Sequence, residues 1–307
     1  MLRIEAGAPL EGVVEVWNTV WPTRPVDLAE LRHEIDDFEP EQQPTNFGAW
    51  ENGTLVGVLR RYRDLGAFHP QRWVFECAVI PAHRGMGVGT ALYDHVLEDT
   101  LPRGIIQIMG MVQEDDEGAL SFVEKRGYKE VKRDFFSCLQ VQDFDDKAWQ
   151  NNESGCEIVS LQSVFNEETL KALHQTFETI RVDIPRAAPP TPLSYEFYRD
   201  KVLGDPAFRP DLSRVAFCNR TLAGFSTVFD GASENTAFQG LTGVRREFRG
   251  KGLATQLKRA VVLACKSAGL TELHTDNDTR NAPILAINQK FGFARGVATI
   301  TVAKDLP

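Results

Sequence analysis

Apolar positions follow two patterns along the chain, a helical spacing and short, mainly apolar stretches. After residue 252, apolar side chains recur at the helical spacing, at Ala254, Leu257, Val261 and Ala264. This pattern predicts a helix with one buried stripe. Mainly apolar stretches at Trp73–Ile80 and Ala237–Val244 each predict a strand.

Each half of the chain has the same predicted order of elements. A helix near the start, at Leu10–Trp21 and Glu167–Ile180, leads to a hairpin whose turn falls at residues 51–53 and 218–220. The apolar strand follows, then a glycine-rich loop that opens a helix, another strand, a helix and a closing strand. The strands after the glycine-opened helices are expected at Ile105–Val112 and Glu272–Thr275. This mixture predicts an α/β sheet covered by helices.

An internal repeat explains the duplicated order. The nine residues Arg84–Leu92 (RGMGVGTAL) recur 165 residues further on as Arg249–Leu257 (RGKGLATQL), and a Gly-aromatic pair recurs at the same offset, at residues 127–128 and 292–293. The repeat predicts two domains of one fold, 1–145 and 156–307. Between them lies the polar stretch Gln142–Gly155, and the proline-dense stretch Pro185–Pro192 is read as a surface loop of the second copy.

Composition and charge narrow the class of protein. With 42% hydrophobic and 25% charged residues the chain matches an average soluble protein, and it has no apolar run of membrane-spanning length or basic leader at its start. A net charge of −9 argues against a nucleic-acid partner. The charge is uneven, with −11 on the first 150 residues and +2 on the rest, which suggests that the two halves have different roles.

Cysteine and histidine spacing suggests neither disulfides nor a metal. Five scattered cysteines without a CxxC pair, and six histidines without an HExxH motif, predict free thiols and no zinc site. Together with the missing leader, this predicts a cytoplasmic protein in a reducing compartment.

The glycine loops have the chemistry of an anion cradle. The first N–H groups of a helix lack partners within the helix and carry the positive end of its dipole, and glycine lets a ligand approach the backbone. Neither loop ends in the Gly-Lys-Ser/Thr of a P-loop, and the glycine spacing is not that of a dinucleotide fingerprint. A phosphate-binding loop of another kind is therefore predicted in each copy.

These loops, the Gly127-Tyr128 and Gly292-Phe293 turns and the segment 275–293 (TDNDTRNAPILAINQKFGF) make the chain resemble a tandem pair of GNAT-superfamily N-acetyltransferases, in the arrangement of mycothiol-synthase-like proteins. The resemblance implies two GNAT-like domains, each a mixed, mostly antiparallel, splayed sheet covered by helices. It implies acetyl-CoA as co-substrate, with no metal, and transfer of the acetyl group to a primary amine of a small molecule by direct attack.

The resemblance also assigns cofactor contacts by position. The loop would bind the pyrophosphate, and the splayed strand would pair with the pantetheine arm through residues 77–79 and 242–244. In the second copy the implied contacts are Val244, Arg249, Gly250, Lys251, Gly252, Leu253, Ala254, Asn281 and Asn288. In the first copy they are Val79, Arg84, Gly85, Gly87 and Gly89.

Catalytic residues are less defined. The tyrosine that the family often uses as an acid is replaced by Val123 and Asn288. For the base, Glu76 matches a family position in the first copy, whereas the second copy offers His274, Asp276 or Asp183, and structural roles for each stay open.

The second copy is expected to be the catalytic one, because it has both asparagines and a basic rim around the loop, whose members are Arg245, Arg246, Arg249, Lys251, Lys258 and Arg259. The first copy would bind acetyl-CoA weakly or act as a scaffold, and the acidic run at residues 114–117 either attracts a cationic acceptor or is a solvated loop. A non-catalytic acyl-CoA-binding or regulatory protein, and a pair in which only the fold survives, are the alternatives. A monomer or a homodimer is expected.

Overall fold

The computed structural model describes residues 1–22, 25–36, 38–64, 67–149, 155–185 and 190–307. It divides into two compact units: unit 1 is Met1–Val131 with Ile300–Pro307, and unit 2 is Lys132–Thr299. The two sequence copies, 1–145 and 156–307, stay a prediction, because the units are divided at other residues. Residues 150–154 of the predicted linker and 186–189 of the proline-dense loop lie outside the described residues.

Unit 1 is a sheet with helices on its faces. Its strands lie in the order β1-β2-β3-β4-β5, with the end of β12 beside β5. The strands are β1 (Leu2–Ala6), β2 (Thr45–Glu51), β3 (Thr54–Tyr62), β4 (Arg72–Val79), β5 (Gln107–Gln113) and residues 300–305 of β12 (Ala294–Asp305). The helices are α1 (Leu10–Val20), α2 (Leu28–Asp36), α3 (Val88–Thr100) and α4 (Glu117–Lys125).

Two apolar layers hold unit 1 together. On one face Trp73 and Ile108 pack with Leu92 of α3, and all three are fully buried. On the other face Val58 and Ala78 pack under α1 and α2. Burying one such large side chain contributes about 1.5–3 kcal/mol, so these layers are the main source of stability.

Unit 2 repeats this plan with different chain segments. Its strands lie in the order β12-β6-β11-β10-β9-β8-β7. They are residues 294–299 of β12, residues 132–140 of β6 (Lys129–Gln140), β7 (Glu157–Ser160), β8 (Arg214–Cys218), β9 (Thr221–Asp230), β10 (Thr236–Val244) and β11 (Glu272–Asp278). The helices are α5 (Glu167–Arg181), the short α6 (Tyr195–Phe197), α7 (Leu253–Ser267) and α8 (Ala282–Phe291).

The closing strand of the first copy belongs to unit 2. Residues 134–140 of β6 pair antiparallel with all of β11, from Asp134 opposite Asp278 to Gln140 opposite Glu272. The end of the chain belongs to unit 1 in turn: the Leu306 N–H donates to the Ile106 carbonyl at 2.8 Å, and Ile300 and Val302 pack on Val112. Sequence periodicity alone does not reveal these non-local pairings.

The predicted elements are confirmed to within a few residues, and the α/β class with a mixed, mostly antiparallel sheet is confirmed. Both hairpin turns form where expected. Asn52 and Gly53 adopt positive φ in the first turn, and Asn219 and Arg220 do so in the second, as a two-residue hairpin turn requires.

The free-thiol prediction is wrong for two of the five cysteines. Cys156 and Cys218 form a disulfide next to the β7–β8 pairing, although 62 residues separate them in sequence. Antiparallel pairing of the flanking strands brings the two residues together, and spacing in the sequence could not show this. Cys77, Cys138 and Cys265 are free.

Candidate active site

The strands before the two glycine loops separate from their parallel neighbours. In unit 2, β10 pairs with β11 only from Thr236 to Phe238, and β4 pairs with β5 only from Arg72 to Val74. The remaining residues of both strands, including the predicted contacts at 77–79 and 242–244, therefore have a backbone edge that β5 or β11 does not pair. The predicted splay is confirmed in both units.

A cavity of about 800 Å³ lies at the splay of unit 2. It is bounded by the end of β10, the glycine loop, the first turn of α7, the end of β11 and the start of α8. Eleven of the predicted cofactor contacts and catalytic candidates line it: Asp183, Thr242, Gly243, Val244, Arg249, Gly250, Gly252, Leu253, Ala254, Asp276 and Asn281. The structure thus brings most of the second-copy predictions to one place.

The glycine loop has the backbone shape that glycine permits. Gly250 and Gly252 have φ of 76° and 74°, and α7 begins at the next residue, Leu253. The Arg249 Nε donates to the Val244 carbonyl at 2.8 Å, which fixes the loop to the end of β10. The first copy has the same bond, from Arg84 Nε to the Val79 carbonyl at 3.0 Å, with Gly85 and Gly87 at positive φ.

Two of the predicted rim cations are paired with a predicted catalytic residue. Asp183, just beyond α5, accepts hydrogen bonds from Arg246 and lies 2.8 Å from Arg249 Nη2. The hydrogen bonds from Arg246, and then those from Arg249, lower the pKa of Asp183 to about 2. This carboxylate therefore stays ionised and holds the arginines, whereas Lys251 is exposed in the loop.

Lys258 of α7, a member of the predicted basic rim, is buried and not exposed to solvent. It is only 1% exposed, its Nζ donates to Gln239 Oε1 on β10, and burial lowers its pKa to about 7. The Gln239 Nε2 donates to Ser226 Oγ at 2.9 Å, and Ser226 Oγ lies 2.8 Å from Thr242 Oγ1. A buried polar network thus joins α7 to the splayed part of β10, and both Lys258 and Thr242 line the cavity.

The first copy has aromatic rings at the corresponding place. Tyr93 stands 165 residues before Lys258, and it contacts Phe75 and Phe122 edge to face at ring-centroid distances of 6.1 and 6.0 Å. Arg126 covers the Phe122 ring at 3.6 Å. Next to the separated strands, unit 1 thus has packed aromatic side chains at the place where unit 2 has the polar network of Lys258, Gln239 and Ser226.

The far wall of the cavity is acidic. Asp134 of β6 and Asp276 of β11 line it together with Lys132, whose Nζ lies 2.7 Å from Asp134 Oδ1. The Asp276 side chain is exposed to the cavity. Partial desolvation by the surrounding protein, and then the like charge of Asp134, raise the pKa of Asp276. Asp134 was not predicted as a site residue, because its sequence position assigns it to the first copy.

The two predicted asparagines have different environments. Asn281 is the residue immediately before α8, its side chain makes no capping hydrogen bond, and it lines the cavity. Asn288 is 3% exposed and donates from Nδ2 to Asn277 Oδ1, while its Oδ1 accepts no hydrogen bond from the described residues. Asn288 thus supports Asn277, which does line the cavity.

The remaining catalytic candidates lie elsewhere. Glu76 is in unit 1, where its Oε1 accepts a hydrogen bond from the Tyr62 hydroxyl at 2.8 Å. His274 is in unit 2 but does not line the cavity, and its Nε2 lies 2.9 Å from Glu272 Oε2.

A splayed parallel pair in front of a helix-opening glycine loop, present in both units, defines a duplicated α/β fold. The chain belongs to the acetyltransferase (GNAT) family, whose model matches residues 11–128 and 173–293. Members of this family in general transfer an acetyl group from acetyl-CoA.

Solved structures agree with a tandem arrangement. A tandem GNAT protein from the clavulanic acid biosynthesis pathway has a TM-score of 0.76 at 19% identity, covering 99% of this chain and 98% of its own. A GCN5-related N-acetyltransferase from Sphaerobacter thermophilus has a TM-score of 0.71 at 16% identity, covering 99% and 95%. At these identities the likeness establishes the fold. No curated protein sequence matches the chain.

Within the described ranges, no helix combines the length and the apolar character that crossing a bilayer demands.

Proposed function

We propose that this protein is an acetyl-CoA-dependent N-acetyltransferase that acetylates a primary amine of a small molecule in its second copy. The observation that carries the proposal is the cavity of unit 2, where an open glycine loop, a free strand edge and an acidic wall meet. A loop alone would support binding, but the acidic wall adds a group that can accept a proton.

The residues present fit acetyl-CoA. The N-terminal N–H groups of α7, with Gly250 and Gly252 at positive φ, form a cradle for a pyrophosphate, and Arg249 and Lys251 add positive charge. The free edge of β10 up to Val244 can pair with an extended amide chain as a neighbouring strand would. Asn281 supplies a polar side chain at the start of α8.

Acetyl-CoA would supply a thioester whose carbonyl carbon accepts the amine and whose sulfur leaves. The amine must be neutral to attack, so a carboxylate has to take its proton. We assign this role to Asp276 rather than to Asp183. The raised pKa of Asp276 makes it the stronger base, and Asp183 is held by two arginines with a pKa of about 2. Asp134 and Asp276 together attract the ammonium form of the acceptor.

We assign two groups to the chemical step, one to stabilise charge on the thioester oxygen and one to protonate the departing thiolate. Gly240 and Leu241 lie in a bulge of β10, where the pairing register with β9 shifts between Gln239 and Thr242. N–H groups in such a bulge are suited to stabilise charge on the thioester oxygen. Lys258, in the cavity wall with a pKa of about 7, is our candidate proton donor in place of the absent tyrosine.

The test is thiol release from acetyl-CoA against a panel of small primary amines, with matched variants of the two loops. Gly252→Trp should abolish release, because an indole at the first turn of α7 fills the cradle, whereas Gly87→Trp should leave it largely intact. Loss of release only in Gly87→Trp would move catalysis to the first copy. Stoichiometric binding of acetyl-CoA without turnover on any amine would favour the acyl-CoA-binding alternative.

A cytoplasmic location is also a proposal. The disulfide between Cys156 and Cys218 argues against it, since such bonds are rare in reducing compartments. Alkylation of free thiols at the moment of cell lysis, followed by mass analysis, would show three alkylated cysteines if the bond exists in the cell and five if it does not.

A further inference from the structure

Three side chains with different donor atoms meet on one face of the β6–β11 pair in unit 2. His274 stands directly opposite Cys138 in the pairing register, and Glu272 lies two residues before His274, on the same face of its strand. The His274 Nε2 is 2.9 Å from Glu272 Oε2, and one ligand atom from each of the three residues lies within 4.8 Å of the other two.

We propose that Cys138, Glu272 and His274 form a binding site for a divalent transition-metal ion of the zinc type, with a fourth position left to water. A thiolate, an imidazole and a carboxylate are the three ligand types that Zn²⁺ takes in proteins, whereas Mg²⁺ and Ca²⁺ prefer oxygen alone. His274 and Glu272 are each 35% exposed, so an ion can reach the site and a water ligand has room.

A neighbouring side chain orients the Glu272 carboxylate for metal binding. The Gln140 Nε2 donates to Glu272 Oε1 at 2.9 Å, which orients the carboxylate and leaves Oε2 toward His274. Binding would replace the proton of the Cys138 thiol and any proton on His274 Nε2 with the ion, and release those protons to water. Because the thiol and the imidazole must both lose their protons to bind the ion, affinity should increase with pH.

The spacing rules used in the sequence analysis could not find this site. Cys138 belongs to the first sequence copy and His274 to the second, and only the pairing of β6 with β11 brings them together. The proposal is independent of acetyl transfer, because His274 and Glu272 do not line the cavity.

Co²⁺ is the probe for the test, because a cobalt–thiolate bond gives an ultraviolet charge-transfer band that oxygen or nitrogen ligands do not give. The full chain, stripped of metal with a chelator, should develop this band with one Co²⁺ per chain, more strongly at pH 8 than at pH 6. One equivalent of Zn²⁺ should abolish the band, since Zn²⁺ binds such ligands more tightly.

Cys138→Ser should lose the band, and His274→Asn and Glu272→Gln should each weaken Co²⁺ binding by roughly tenfold or more. Cys77→Ser is the matched control, because Cys77 is an exposed free cysteine of unit 1, and it should keep the band. Unchanged far-ultraviolet circular dichroism would show that each variant is folded. The proposal is overturned if the band is missing in the native chain, persists in Cys138→Ser, or disappears only in Cys77→Ser.

Discussion

Lys258 has the environment furthest from what its sequence position suggests. It follows Leu257 of the predicted apolar stripe and is a member of the predicted basic rim, yet it is almost fully buried beside Gln239. Burying an ammonium group costs several kcal/mol, and because this cost disfavours the charged form it lowers the pKa of Lys258 to about 7. A group that costs stability and faces a cavity is a common sign of function.

Lys258→Met should therefore stabilise unit 2. The pKa of Lys258 is about 7 in the folded chain, below the ordinary value of 10.5. Between pH 7 and 10.5 this lysine is therefore protonated in the unfolded chain and neutral in the folded chain. Because the unfolded chain then binds one more proton, the free energy of unfolding should rise as pH rises from 7. The methionine variant lacks this linkage. The difference in unfolding midpoint between variant and native chain should be largest near pH 7, at about 4 °C or more, and should shrink toward pH 10.

Lys290→Met is the control for this experiment, because Lys290 is exposed on α8, and it should change neither midpoint nor pH dependence. Equal pH profiles for the native chain and Lys258→Met would show that Lys258 is charged, or solvated, in the folded protein.

Asp276 should be required for turnover but not for acetyl-CoA binding. Asp276→Asn keeps the shape and removes the proton acceptor, so kcat/KM should fall by about 10²- to 10⁴-fold, and the acidic limb of the rate–pH profile should disappear. Binding of acetyl-CoA, measured by calorimetry, should change little. If Glu76→Gln abolishes turnover and Asp276→Asn does not, the base lies in unit 1.

At the scale of elements, the loop between β10 and α7 could be predicted well from sequence. The glycines and Arg249 recur at a fixed offset, and the bonds from Arg84 to Val79 and from Arg249 to Val244 are the same bond in both copies. The partner of the loop could not be predicted. Asp183 meets Arg246 only because α5 ends beside it, and local periodicity does not report which helix end approaches which loop.

Asp183→Asn should strengthen acetyl-CoA binding at low ionic strength. The ionised carboxylate competes with phosphate groups for Arg246 and Arg249, so its removal leaves more positive charge on the loop. We expect Kd to fall a few-fold at low salt and the difference to vanish at about 1 M salt, where the Debye length is about 3 Å. Weaker binding in the variant would show instead that Asp183 holds the arginines in their binding geometry.

At the scale of the whole molecule, the repeat predicts two units but does not predict which chain segments belong to each unit. Among the described residues, the α-helices of each unit lie within one predicted copy, whereas the segment Lys132–Gln140 is part of unit 2 and Ile300–Pro307 is part of unit 1. For the same reason the sequence does not indicate that Asp134 lines the cavity of unit 2. Which strand completes which sheet depends on long-range pairing, which local periodicity does not report.

Removal of residues 300–307 should therefore destabilise unit 1, the unit at the other end of the sequence. Ile300 and Val302 are each 4% exposed, and losing their burial costs about 3–6 kcal/mol against a total stability of about 5–15 kcal/mol. Hydrogen exchange should show faster exchange in β5 and α4, while α7 and β10 keep their protection. Protection that is lost in unit 2 alone would contradict the assignment of these residues to unit 1.

The location of residues 300–307 also affects how the protein matures on the ribosome. The strand that finishes unit 1 emerges only after the 168 residues of Lys132–Thr299 have been translated, a delay of roughly ten to thirty seconds at ordinary elongation rates. During that interval β5 presents an unpaired edge with Val112 uncovered, the type of surface that chaperones recognise. Completion of unit 1 is thus timed by synthesis of residues 300–307, which follow all of unit 2.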